Sequence, residues 1–241
     1  DILRDTGDLT VYPADVERTS ECIRAGVEEM VSRGAFPVLL GGDHYVTFPA
    51  VEGFERAWKK KKSNPRLGYI HIDSHLDLSD DTEVWGKHYH GSTARRVSEL
   101  DSFSPENMVW IGASGGFVSR DRWDFLKSSG AVQFSVDDMN GLGIREVVNR
   151  AVSRASEGCD SVYVTIDIDV VDHAFAPGTG SYVYGGITSF QFLQLMDCLR
   201  SVPAGALDLV EVAPPLDPTG TTSRLAATGL IRFLLPRISG R

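Results

Sequence analysis

Residues 67–77 read LGYIHIDSHLD. Six β-forming, almost wholly apolar residues lead into a polar segment that carries Asp73, His75 and Asp77. An apolar run without alternation suits a strand buried on both faces of a parallel sheet. Period two then turns Asp73, His75 and Asp77 to the same side of the extended segment that leaves the strand. Outward from this stretch, residues 36–40 (FPVLL), 108–111 (MVWI), 132–135 (VQFS), 162–168 (VYVTIDI) and 206–212 (ALDLVEV) have the same character and predict five more strands. Helical patterns fill residues 14–33, 92–100, 120–129, 144–156, 188–201 and 223–235. Asp121 and Ser189 lie near helix starts, and Gly34, Gly130 and Gly158 follow helix ends. Strand and helix in repeated alternation predict an α/β fold, a doubly wound α/β/α layer structure. No repeat, low-complexity tract or linker divides residues 1–241, so one domain is expected. The chain opens at Asp1 with neither Met nor a signal pattern, and a missing N-terminal segment is expected.

Composition narrows the function. The 241 residues are 42% hydrophobic and 24% charged, as in an ordinary globular chain. No apolar run approaches the roughly 18–20 residues of a spanning helix, so no membrane partner is expected. Lys plus Arg is 24 against 33 Asp plus Glu, and the net charge of −9 argues against nucleic-acid binding by bulk charge. Lys59 to Lys62, beside Trp58, read as a solvated helix end. Cys22, Cys159 and Cys198 form no CxxC, which excludes a disulfide framework or structural zinc site and suits a reducing, cytoplasmic location.

In open parallel sheets the ligand site lies beyond the carboxyl ends of the strands. There the sequence places Gly41-Gly42-Asp43-His44, then Asp73, His75 and Asp77, then Asp167, Asp169 and Asp172, then Glu211. A lone DxD serves as readily as a cap or turn; here every element follows a β-rich run. Carboxylates flanked by Ile, Val and Leu are costly to bury without a cation. Oxygen and imidazole donors without thiolate suit Mn²⁺, Ni²⁺, Zn²⁺ or Fe²⁺. Asp73, Asp77, Asp167 and Asp169 balance the charge of two divalent ions, and with the histidines they exceed what one tetrahedral zinc takes. A two-metal site is expected.

These residues resemble the ureohydrolases: arginase, agmatinase, guanidinobutyrase and their relatives, with agmatinase- and guanidinobutyrase-like members nearest. The family's GGDHS appears as GGDHY at residues 41–45, its DAHxD as DSHLD at 73–77, and its SxDxDxxDPxxxPGTG as TIDIDVVDHAFAPGTG at 165–180. Its EVxPPxD appears as EVAPPLD at 211–217. The resemblance implies a three-layer α/β/α fold around an eight-stranded, mostly parallel sheet. It implies a binuclear cluster, usually Mn²⁺, with Ni²⁺ or Co²⁺ as alternatives, bound by His44, Asp73, His75, Asp77, Asp167 and Asp169. Such a cluster lowers the pKa of a shared water, and attack on a guanidinium carbon then releases urea and an amine. Glu211 matches the carboxylate that pairs with the substrate guanidinium. His90, in HYHGS, matches a proton shuttle, with His88 as its rival. Asp77 joins His90 and Glu211 among the catalytic candidates. His71 reads as structural, and Asp43 and Asp172 as groups that orient the ligands. Family members are commonly trimers or hexamers, so a homo-oligomer is implied.

The departures from the family pattern are Ser74 for alanine, Tyr45 for serine and His173 for proline, with GSYVYGG at 180–186 in place of a TPxxGG-like stretch. Tyr182, Tyr184 and Trp85 are expected at the pocket mouth, where they narrow it or offer cation–π surface. The acidic run LSDDTEVWG at 78–86 predicts a cationic or neutral substrate tail, because Asp80, Asp81 and Glu83 would repel a carboxylate facing them. The expected function is a binuclear metal hydrolase of an agmatine- or guanidinobutyrate-like compound, or of a smaller guanidine or biguanide. The alternatives are a non-catalytic or partner-dependent ureohydrolase subunit and an amidine (formimidoyl) hydrolase.

Overall fold

A computed structural model describes residues 3–114 and 119–239, so the terminal Asp1 lies outside the described residues. The apolar runs form β1 (Val38–Leu40), β2 (Leu67–Ile72), β3 (Phe103–Ala113), β4 (Val132–Ser135), β5 (Ser161–Asp167) and β6 (Ala204–Val210). They pair in the order β1-β6-β5-β2-β3-β4, every pair parallel. The sheet thus has six strands among the described residues, not the eight that the resemblance implies. The chain holds six apolar β-rich runs, and its other connections are helices or polar loops.

The helices are α1 (Val16–Ser32), α2 (Thr47–Lys61), α3 (Thr93–Val97), α4 (Arg120–Ser128), α5 (Val136–Leu142), α6 (Ile144–Ser156), α7 (Ser189–Cys198) and α8 (Thr221–Ser239). Two of them, α2 and α5, were not expected from periodicity. Pro49 and Gly53 obscure α2, yet Pro49 falls in the first turn, where its missing N–H costs nothing. Gly53 meets α1 so closely that a Cβ there would lie 2.4 Å from the Arg24 carbonyl oxygen. The short α5 is held by a capping box, the Ser135 side chain accepting from Asp138 N while Asp138 accepts from Ser135 N.

Alternation along the strands divides two cores. Ile70, Ile72, Val109, Ile111, Val164 and Ile166 face Val147 of α6, Phe192 of α7 and Phe233 of α8. Tyr69, Met108, Trp110 and Tyr163 face the other way, toward Val27 of α1, Phe54 of α2 and Val97 of α3. Both faces are covered, which is why the strands read as continuous apolar runs. Each fully buried Phe or Ile contributes roughly 1.5–3 kcal/mol relative to exposure.

From β2 the chain steps outward to β3 and β4; β5 and β6 then lie on the other side of β2. The order of strands therefore reverses between β2 and β5, and a crevice opens beyond their carboxyl ends. Asp73 leaves β2 at that point, and Asp167 ends β5 beside it.

Candidate active site

The GGDH turn after β1 brings His44 over this crevice. Gly41 permits it: a Cβ there would lie 2.5 Å from Val46 Cγ2. His44 Nδ1 lies 3.0 Å from Asp73 Oδ2, 3.1 Å from Asp77 Oδ2 and 3.2 Å from Asp167 Oδ2. His75 Nδ1 lies 2.9 Å from Asp169 Oδ2 and 3.4 Å from Asp73 Oδ1. Asp169 N donates to Asp167 Oδ1 at 2.8 Å. The six residues implied as ligands thus meet in one cluster, buried except for the half-exposed His75.

The side chains fit two divalent cations. His44 Nδ1, His71 Nε2 and Asp73 Oδ2 are buried without a hydrogen-bond partner, although oxygens surround His44 Nδ1 at contact distance. Asp73 Oδ2 lies 3.0 Å from His44 Nδ1 and 2.9 Å from His71 Nε2, a convergence of donor atoms that a cation would complete. Two groups of donors have atoms within 4.8 Å of each other: His44, His71, Asp73 and Asp77, and then Asp73, His75 and Asp169. Asp73 belongs to both, so its carboxylate would serve either cation.

Electrostatics demand cations as well. Burial, with Asp169 and Asp73 nearby, pushes the Asp167 carboxyl well above its usual range. Burial and then Asp73 push Asp169 up to about 7. Hydrogen bonding to Asp169 and Asp73 pushes His75 up to about 11. Burial alone would lower His44, but contacts with Asp167, Asp73 and Asp77 outweigh it and hold the imidazole well above its ordinary value. A site that draws protons this strongly is one that two divalent cations would discharge.

Beneath the cluster lies a polar relay with no counterpart in the sequence expectations. Sheet register sets Asp208 of β6 opposite Thr165 of β5, and Asp208 is completely buried. Its carboxylate accepts from Tyr163 OH at 2.7 Å and from Thr165 Oγ1 at 2.5 Å. Thr165 spends its single hydroxyl proton on Asp208, so it must accept at 2.9 Å from His44 Nε2–H. In the neutral imidazole this places the proton on Nε2 and would leave the Nδ1 lone pair to a cation held among the carboxylates. Asp208→Asn should therefore weaken Mn²⁺ affinity about 10–100-fold with the fold retained, as measured by metal titration and circular dichroism.

His71 is buried between the Tyr69 hydroxyl, 3.0 Å from Nδ1, and Asp73 Oδ2, 2.9 Å from Nε2, and it stacks on His44. It holds Asp73 as well as filling the strand. Ser74 also acts on the cluster: its backbone N and hydroxyl both donate to Asp169 Oδ1. Asp43 and Asp172 do not touch the ligands. Asp43 lies 4.0 Å from His90, and Asp172 accepts from Ala174 N and Gly185 N, closing the loop that carries both tyrosines.

Glu211 follows β6 with a φ of 64°, a left-handed conformation that costs energy for a non-glycine residue and recurs at functional sites. The twist returns its side chain to the GGDH turn, where Oε1 accepts from His44 N at 2.7 Å while Glu211 N donates to Gly42 O. Burial raises its carboxyl, and His90 and Asp43 lie near enough to act on its charge in opposite senses. His88 is engaged elsewhere, with Nδ1 3.1 Å from Tyr45 OH.

A cavity of about 350 Å³ adjoins the cluster, lined among others by Ser74, His75, Ser114, Arg122, Gln133 and Tyr184. Of the three aromatics expected at a pocket mouth, Tyr184 is among the residues that line this cavity. Tyr182 and Trp85 are not part of this lining: Tyr182 stacks on His173 at 3.9 Å and Trp85 on Tyr89 at 6.1 Å. The acidic run is absent from the lining too. Asp80 pairs with Arg96 at 2.7 Å and with Arg95, so its charge is directed to α3. Of the three acids expected to repel a carboxylate tail, Asp80 is thus neutralised by arginines, while Asp81 and Glu83 are exposed.

This architecture has known counterparts. A family model described as the Arginase family matches residues 2–235. Guanidinopropionase of Pseudomonas aeruginosa is 34% identical over 230 residues, spanning 95% of this chain and 70% of that protein. Guanidinobutyrase of the same organism is 31% identical over 231 residues, spanning 95% and 69%. The crystal structure of arginase from Bacillus subtilis superposes with a TM-score of 0.84 at 26% identity, covering 96% of this chain and 83% of that one. With the buried His/Asp cluster at the reversal point of a parallel sheet, these matches establish that the chain belongs to the arginase family, the ureohydrolases, hydrolases of amidino C–N bonds.

Proposed function

We propose that residues 1–241 act as one ureohydrolase domain that hydrolyses a guanidino compound, agmatine- or guanidinobutyrate-like, to urea and an amine. The observation that carries this reading is the meeting of His44, His75 and four aspartates at one crevice with Glu211 beside them. Two divalent ions bound there, Mn²⁺ by this proposal with Ni²⁺ or Co²⁺ as alternatives, would supply Lewis acidity and lower the pKa of nearby water. Asp73, Asp77, Asp167 and Asp169 provide the compensating charge, and Ser74, Thr165 and His71 keep the ligands aimed. The Glu211 carboxylate pairs with the substrate guanidinium, selecting a planar, delocalised cation and orienting its carbon toward the cluster. His90, half-exposed at the rim, carries a proton to the leaving amine. We further propose a cytoplasmic homo-oligomer, a trimer or hexamer, on the family resemblance. The net charge of −9 supports the absence of a nucleic-acid partner. No described helix is long and apolar enough to cross a membrane.

The test is urea release from agmatine, 4-guanidinobutyrate, arginine, guanidine and a biguanide after loading with Mn²⁺, Ni²⁺ or Co²⁺. One of these should yield urea, and Asp169→Ala should abolish it. Urea release at full rate from Asp169→Ala would remove the cluster from the reaction, and no urea from any substrate would overturn the reading.

A further inference from the structure

Two residues that line the cavity beside the cluster each carry a buried polar atom that the ureohydrolase reading leaves unused. Arg122 Nε and Ser114 Oγ are each buried with no hydrogen-bond partner among the described residues. Both residues line the same cavity, Ser114 just past the carboxyl end of β3 and Arg122 in the first turn of α4. Arg122 forms no ion pair among the described residues, in a chain where most of the other buried or half-buried arginines do. Arg24, for instance, engages Glu17, Glu21 and Glu52, and Arg96 engages Asp80 and Glu99.

A guanidinium with a desolvated N–H and no counter-ion is unfavourable unless an anion completes it. Arginine is the side chain whose planar fork matches a carboxylate. Gln133, from β4, adds an amide donor to the same wall. The other charged wall residue, Asp137, is exposed, so water already meets its needs and it calls for no ligand. Ser74 and His75 form the end of the cavity that touches the cluster. A tail that leaves the cluster past His75 therefore runs toward Arg122. A space of about 350 Å³ suits a short aliphatic acid.

We propose that this cavity is an anion subsite in which Arg122 and Ser114 bind the carboxylate of the substrate tail, so that the substrate class is a guanidino acid and not a guanidino amine. The inference rests on the ureohydrolase reading for its reacting end and on Arg122 for its tail. An ammonium tail, as in agmatine, would face the Arg122 charge with no carboxylate buried beside it.

The test compares wild type, Arg122→Gln and Ser114→Ala, all loaded with Mn²⁺ and checked for equal metal content. The substrates are 4-guanidinobutyrate, 3-guanidinopropionate and agmatine. Wild type should prefer the acids by kcat/KM. Arg122→Gln should raise KM for the acids about 10–100-fold, the effect of losing a charge-assisted contact, while leaving kcat within about threefold and lowering KM for agmatine. Ser114→Ala should act in the same direction by about three- to tenfold.

A second readout needs no turnover: calorimetric titration with 4-aminobutyrate and with putrescine, which carry the two kinds of tail without a guanidinium. The acid should bind wild type more tightly than the amine, and Arg122→Gln should erase the difference. A preference of wild type for agmatine, or equal effects of Arg122→Gln on acids and amine, would overturn the subsite while leaving the ureohydrolase reading intact. Absence of urea from every substrate, with Arg122-dependent binding of 4-aminobutyrate retained, would overturn the reaction and keep the subsite.

Discussion

Asp73→Ala should empty both metal positions at once. Asp73 is the side chain common to the two donor groups, with Oδ2 against His44 and His71 and Oδ1 against His75. It also orders its own segment, since Oδ1 accepts from His75 N at 2.6 Å. Its loss removes the side chain shared by both donor groups and would leave Asp77, Asp167 and Asp169 with less to hold an ion in place. The burden of buried negative charge falls as well, so the variant should remain folded. We expect metal analysis after Mn²⁺ loading and dialysis to find almost none retained, and kcat/KM to fall by more than about 10³-fold because activated water is lost. Asp169→Ala, which touches only the second group, should retain part of the metal while losing turnover. Full metal occupancy in Asp73→Ala would show that the two groups do not share this ligand.

Glu211→Gln should separate binding of the guanidinium from binding of metal. Glu211 contacts the backbone of His44 and none of the six clustered side chains, so metal content should be unchanged. The amide keeps an acceptor for His44 N but removes the charge that pairs with a guanidinium. Two charge-assisted hydrogen bonds at about 1.5–3 kcal/mol each give an expected loss in kcat/KM of about 10²–10⁴-fold. The pH profile supplies a further check. Pairing needs the ionised carboxylate, and burial raises the Glu211 carboxyl above its ordinary value. The acid limb of kcat/KM should therefore begin at a higher pH than a solvent-exposed glutamate would give, with activity falling as pH falls through it. In Glu211→Gln that limb should disappear. Unchanged kcat/KM in this variant would assign the carboxylate to holding the GGDH turn alone.

How much of this was legible in the chain differs by element. β2 and β4 have the bounds that their apolar runs predict, and α6 runs from Ile144 to Ser156 as its periodicity requires. These segments carry their signal in side-chain pattern, because burial on both faces or on one helix face selects residues locally. The site was legible for a similar reason. A parallel sheet places its ligands in the short segments after its strands, so Asp73, His75, Asp77, Asp167, Asp169 and Glu211 stand close to apolar runs that announce them. Of α2 only the end was legible, at Lys59 to Lys62; its body was not, because Gly53 weakens the pattern and its purpose, contact with the Arg24 backbone, lies on another helix.

What the amino-acid sequence determined by itself is thus the layer architecture and the chemical identity of the cluster, both written in short-range spacing. Only the tertiary structure decided the rest. Asp208 is a polar residue in an apolar strand until parallel register sets it opposite Thr165 and, through that hydroxyl, fixes the proton on His44. Arg122 is an ordinary residue of an amphipathic helix until α4 brings it to the wall that Ser74 and His75 share. Asp80 looked like a charge facing substrate until α3 supplied Arg95 and Arg96 to receive it. In each case the partner is distant in sequence. Spacing along the chain carries no information about such a partner; packing decides whether a buried charge meets a counter-ion, a hydroxyl or an open cavity.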